Sequence, residues 1–226
     1  VDHFKREFPL PPPPFSIVER GAFKYKPDSS FVISKKNGSV KLAIPERGFY
    51  HMITEKETKE GVSLFSVGSA FPGLKDEADM IRSVRYITSL NEYNKLMDAE
   101  NKKQAIDEFW KEIGGSNERA KALLKKYYAR VYEANRLFTS FLPGWQSDRG
   151  MIYVVFGPPS TMYKYPNTEV WIYGDENLPT SVKFNFIKYV NPFTDNDFVL
   201  ERNEFYRLPW DQATRGWKEG HIYYDN

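Results

Sequence analysis

Residues able to do chemistry gather most densely in one stretch, Gly144-Trp145-Gln146-Ser147-Asp148-Arg149-Gly150. A hydroxyl, a carboxylate and a guanidinium stand side by side there, with an indole beside them and a glycine at each end. Such a set could form a polar binding cluster at the mouth of a cleft. Trp145, Ser147, Asp148 and Arg149 would supply it, with Tyr153 and Trp171 following downstream. The same residue types also suit a hinge. Gly144 can take a positive φ and end a helix, and Trp145 can plug a joint between helices and sheet. Ser147 and Asp148 can bond nearby backbone donors, Arg149 can pair with a carboxylate or carbonyl across the joint, and Gly150 lets the backbone pass closely. The hinge accounts for every residue type, so a structural role is expected first and a site second.

Catalytic chemistries find little support. Ser147 lies outside a Gly-x-Ser-x-Gly elbow, and the three histidines, His3, His51 and His221, are remote from it in sequence. Without cysteine there are no disulfides, thiolate metal sites or cysteine nucleophiles. Asp195-Asn196-Asp197 resembles a fragment of a calcium loop but lacks the glycine and distal glutamate of the EF-hand pattern, so it reads as a polar turn. Asp148, Glu169 and Asp175 are carboxylates of a kind any chain this long contains, too little to predict a glycosidase. Glycan binding without hydrolysis would use Trp145, Trp171, Tyr173 or Trp217 as platforms, in competition with core packing. The two prolines of Gly157-Pro158-Pro159 remove the donors that a phosphate loop supplies, so this is expected to be a rigid strand exit. No catalytic residue, metal ligand or cofactor is assigned.

Composition sets the frame. A net charge of +2 with interspersed signs provides no basic footprint for nucleic acid. Aromatics reach 16%, which points to an aromatic-rich core or a stacking surface. No window approaches the ~20 apolar residues of a spanning helix. Membrane association would then need a partner or a part outside this chain.

The elements that must position the stretch can be read from periodicity. The run Pro9-Leu10-Pro11-Pro12-Pro13-Pro14 predicts an extended polyproline arm. Residues 15–70 read as short strands, with a hairpin of residues 31–33 and 40–44 around Asn37-Gly38, and further strands at 48–53 and 62–67. Helical signals begin after Phe71-Pro72-Gly73. Ser89-Leu90-Asn91-Glu92 has capping-box spacing, Gly114-Gly115 stops a second helix, and a third carries Ala120, Leu123, Tyr127, Val131, Asn135 and Phe138 on one face. After the central stretch, residues 152–156 form a continuous apolar run and predict a buried strand, followed by strands at 169–173, 182–187 and 198–202. Pro209 suits the first turn of a last helix. The class is α+β: a β-rich N-terminal module over residues 1–70, then a helical segment packed on a small antiparallel sheet over residues 71–226.

Several of these pieces resemble one family. Phe109-Trp110, Asn117-Glu118, the run from Arg130 to Asn135, the central stretch, Gly157-Pro158-Pro159, Trp171-Ile172-Tyr173, Leu200-Glu201-Arg202, Trp210 and Trp217 stand in the order and spacing of the GWxTD domain. Ser147 replaces the family's threonine, which keeps the hydroxyl. The resemblance covers roughly residues 71–220 and is expected to extend into the β-rich N-terminal part. It implies an extracytoplasmic location in the cell envelope of Bacteroidota or related bacteria, often behind a β-sandwich region, and it carries no catalytic residues. The expected function is therefore a non-catalytic interaction or scaffold module, a subunit or accessory of an outer-membrane or secretion-related assembly with protein partners. A domain that binds or hydrolyses glycan or peptidoglycan is the alternative.

Overall fold

A computed structural model describes residues 1–5, 9–18, 25–34, 37–44, 46, 48–55, 57 and 59–222. Four short strands make the first antiparallel sheet: β1 (Asp2–Phe4), β2 (Ser29–Ser30), β3 (Gly48–Ile53) and β4 (Gly61–Ser66), in the order β2-β1-β3-β4. The register places Phe4, Phe49 and Phe65 in one row across β1, β3 and β4. That row packs against Phe141, Leu142 and Phe193, so side chains from the second half of the chain complete the sheet's core.

Two strand expectations in this region give way. The Asn37-Gly38 turn forms, with φ of 49° and 80°. Residues 31–33 and 40–44 beside it are not in strands, and Val32 is 94% exposed. A hairpin with no apolar face to bury is marginal in water. Residues 15–18 form no strand either; Phe15 packs on the main core instead.

The helices follow the periodicity closely. α1 (Glu77–Ser83) runs into a 3-10 turn, and α2 (Leu90–Asp98) starts at a complete Ser89–Glu92 capping box. α3 (Lys102–Gly114) stops at Gly115, whose φ of 68° is the left-handed conformation glycine adopts without a Cβ penalty. α4 (Asn117–Phe138) is capped by Ser116.

Residues 152–156 form a helix, not a strand. They belong to α5 (Asp148–Phe156), which a 3-10 turn (Gly144–Gln146) precedes. The second sheet then has the antiparallel order β5-β6-β7-β8, with β5 (Thr161–Lys164), β6 (Thr168–Tyr173), β7 (Val182–Lys188) and β8 (Phe198–Leu200). β5 had no counterpart in the sequence reading. α6 (Arg207–Lys218) closes the fold. In β7, Val182, Phe184 and Phe186 face inward while Lys183 and Asn185 face out. The inward row meets α5, the central element of a core that also holds Trp110, Tyr127, Trp171 and Trp217. No helix among the described residues is long and apolar enough to cross a membrane.

Phe193 ties the first sheet to the second half, stacking on Tyr25 at 5.4 Å and meeting Phe4 and Phe49 edge-on. Phe193→Ala is expected to cost about 3–5 kcal/mol in urea denaturation, as buried phenylalanine truncations do. A loss below about 1 kcal/mol would show that the first sheet does not depend on this contact.

Candidate functional site

The central stretch begins where α4 ends. The helix stops at Phe138, and Thr139 is its C-cap. Gly144 neither ends the helix nor has a positive φ. Its role is close approach: a Cβ there would lie 1.9 Å from the carbonyl oxygen of Ala134. The α4 end receives the turn through side chains. The Thr139 hydroxyl donates to the Asn135 carbonyl at 2.6 Å and accepts from the Gly144 amide at 3.0 Å. Asn135, itself buried, accepts from the Trp145 amide at 3.2 Å and donates to the Pro72 carbonyl at 2.7 Å. Trp145 is buried, and the Tyr86 hydroxyl donates to its carbonyl at 2.9 Å. Burial pushes the Tyr86 phenol well above its ordinary range, with the Asp148 charge adding to the shift.

α5 starts at Asp148, with Ser147 as its N-cap. The Ser147 hydroxyl accepts from the Gly150 amide at 3.0 Å and donates to the Gly144 carbonyl at 2.7 Å, a helix N-cap with both hydrogen-bonding roles engaged. Gly150 again permits a backbone contact, since a Cβ would lie 1.9 Å from the Gly144 oxygen. Asp148 is buried and accepts from the Leu200 amide at 2.9 Å and from both terminal nitrogens of Arg202, at 2.6 and 3.1 Å. Arg202 also donates to the Pro12 carbonyl of the proline-rich arm at 3.1 Å.

Arg149 points to the other side. It pairs with Glu169 at 3.1 Å, donates to the Asn196 carbonyl at 2.7 Å, and lies between the Phe138 and Phe198 rings. Burial pushes its guanidinium below the ordinary value, while the Glu169 and Asp197 carboxylates act to hold it charged. Glu169 also accepts from the Trp171 indole at 3.1 Å. Tyr153 sits on the same helix, its ring edge-on to Phe138 and Trp171.

The structure thus gathers Trp145, Ser147, Asp148, Arg149, Tyr153 and Trp171 around one helix, with the charged atoms of Asp148 and Arg149 directed into the protein. Such an arrangement positions backbone; it offers little to an incoming substrate. Asn196, from the expected polar turn, donates to the Leu137 and Thr139 carbonyls and so satisfies the α4 C-terminus. Among the described residues no cluster of three His, Cys, Asp or Glu could hold a metal ion. His51 lies in the first sheet, bonded to Ser63 at 2.9 Å and to the Lys59 carbonyl at 2.7 Å, so it does not join Ser147 and Asp148.

Sequence reasoning gave no role to two residues that complete the assembly. Arg130, 6% exposed, donates to the Val155 and Val154 carbonyls at 3.0 and 3.3 Å and lies over the Trp217 ring. The Trp217 indole donates to Val155 as well, at 2.8 Å, so the α5 C-terminus has a cation and an N–H as caps. Burial lowers the Arg130 pKa to about 10, which keeps the cation at neutral pH. Gly157, with φ 87°, leaves room for this guanidinium. Gly157 therefore begins a helix exit, not the strand exit expected. Arg202 is the other residue, the counterion of Asp148. The signal for Arg130 was a cation on the buried face of α4, three residues from Tyr127, where a lone charge is uncommon.

A family model of the GWxTD domain matches residues 48–219, a span that takes in the β3–β4 hairpin as well as the helices and the second sheet. Neither a search of curated proteins nor one of solved structures gives a match.

Breaking a buried ion pair from one side leaves an uncompensated charge. Arg202→Met is therefore expected to cost about 3–5 kcal/mol by urea denaturation. A loss under about 1 kcal/mol would show that Asp148 does not need this partner.

Proposed function

The chain belongs to the GWxTD domain family, and from that premise we propose that it is a non-catalytic interaction or scaffold module of the cell envelope. It serves as a subunit or accessory of an outer-membrane or secretion-related assembly on the extracytoplasmic side, and any contact with the membrane goes through a partner or through a part outside these residues. The location rests on what the family resemblance implies. The mode of action is supported by how the chain uses its surface. The reactive side chains of the central stretch are engaged internally, while aliphatic side chains of the N-terminal part face solvent: Ile17 is 72% exposed and Val62 51%. Val62 lies on β4, an outer strand of the first sheet. An edge strand carrying an exposed aliphatic residue is a template for association.

The glycan reading loses its expected platforms. All five tryptophans, Trp110, Trp145, Trp171, Trp210 and Trp217, are buried, and Asp148 and Glu169 are already ion-paired. Exposed tyrosines such as Tyr163 and Tyr165 remain to it.

Cross-linking and pull-down from native envelopes test this function. The wild-type chain is expected to capture a heterologous envelope protein. Val62→Lys should reduce capture several-fold with an unchanged melting temperature, since surface substitutions rarely move stability by more than about 0.5 kcal/mol. Recovery of the chain alone, or unchanged capture by the variant, would contradict it.

A further inference from the structure

One residue of the central stretch is not engaged internally. Gln146 is 9% exposed, and its side-chain amide has no hydrogen-bond partner among the described residues. It lines a cavity of about 630 Å³ between the first sheet, α1 and the end of α4. Ligand-binding clefts usually enclose about 300–1,000 Å³ and combine apolar walls with a few placed polar groups. The walls here are Phe65, Phe71, Leu74, Phe141, Leu142 and Trp145. The Gln146 amide reaches this space with no protein group competing for it, so a ligand can bond to it directly.

The chemistry of the lining selects the ligand. A carboxamide presents both a donor and an acceptor, the complement of one peptide group. The charged side chains at the cavity balance: Lys5, Lys75 and Arg82 against Asp76, Glu77 and Asp79. Arg82 already faces Asp79 at 3.6 Å, and Lys5 is paired with Glu46. The site therefore favours an uncharged amide bearing a bulky apolar group. An N-acetylated sugar shares the amide but offers no aromatic or branched group for those apolar walls to cover. We propose that this cavity binds a peptide segment of a partner protein, with an aromatic or branched side chain in the apolar hollow and a backbone amide on Gln146. The assignment rests on the interaction-module reading above and names its recognition site.

The test uses the full chain and the capped tripeptide N-acetyl-Gly-Phe-Gly-amide, followed by calorimetry and by the side-chain amide resonances of Gln146. Saturable binding that shifts those resonances is expected. Gln146→Leu should weaken binding about tenfold, the equivalent of one good hydrogen bond, and leave the melting temperature unchanged. Ala70→Trp fills the cavity from a different lining residue and should abolish binding with Gln146 intact. Three results would overturn the assignment: no binding at the peptide's solubility limit, equal binding by either variant, or saturable binding of chitotriose in place of the peptide. A chain that captures an envelope partner through β4 yet ignores the tripeptide would lose this site and keep the wider function.

Discussion

Two backbone contacts that leave no room for a side chain set the geometry of this fold. At Gly144 the chain lies against the Ala134 carbonyl, and at Gly150 it lies against the Gly144 carbonyl. A single methyl at either place would need a shift of backbone. The end of α4, the turn after it and the start of α5 are thereby stacked at the closest spacing polypeptide allows. Ser147 locks that stack by bridging Gly144 and Gly150 through one hydroxyl.

The direction of α5 then decides where the charges go. Asp148 and Arg149 are consecutive on a helix, so their side chains leave it about 100° apart. Asp148 reaches β8, Arg202 and through it the proline-rich arm. Arg149 reaches β6 and the loop before β8. Buried pairs of this kind contribute little net stability because of their desolvation, yet losing one partner is costly. They act as orientation locks: a rotated α5 would leave four buried charges unpaired. Arg130 and Trp217 fix the other end of the same helix through the Val155 carbonyl. The residues that carry the family resemblance, among them Arg130, Asn135, Trp171, Arg202 and Trp217, are largely the ones that make these contacts.

This also explains what the sequence could and could not reveal. α2, α3 and α4 each have a solvated face, so their period of 3.6 is visible and their caps lie in plain sight. α5 has no such face: Met151, Ile152, Val154, Val155 and Phe156 are all at most 1% exposed. Burial on nearly every side erases the period, and the β-branched residues then imitate a central strand. The cue that would have separated the two was local, a serine followed by an acidic residue in the first turn. The role of Gly144 is hidden for a related reason, since close approach to a chain segment ten residues earlier has no local signature. The sequence predicts a carboxylate or a carbonyl as the partner of Arg149; the structure supplies both, and Glu169 and Asn196 can be named only once the sheet is in place. Gln146 was the least informative position in sequence and is the one whose amide is left open to a cavity.

The central claim is that the stretch from Gly144 to Gly150 is the keystone of the fold, with recognition confined to its single unengaged amide. Native-state hydrogen exchange tests this most directly. The amides of Trp145, Gly150 and Leu200 all donate to side chains of this assembly. They are predicted to exchange only through global unfolding, as slowly as the amides in the middle of α4. Exchange of these three amides by local opening, at a free energy well below that of global unfolding, would contradict the account and make the stretch a mobile element of a site.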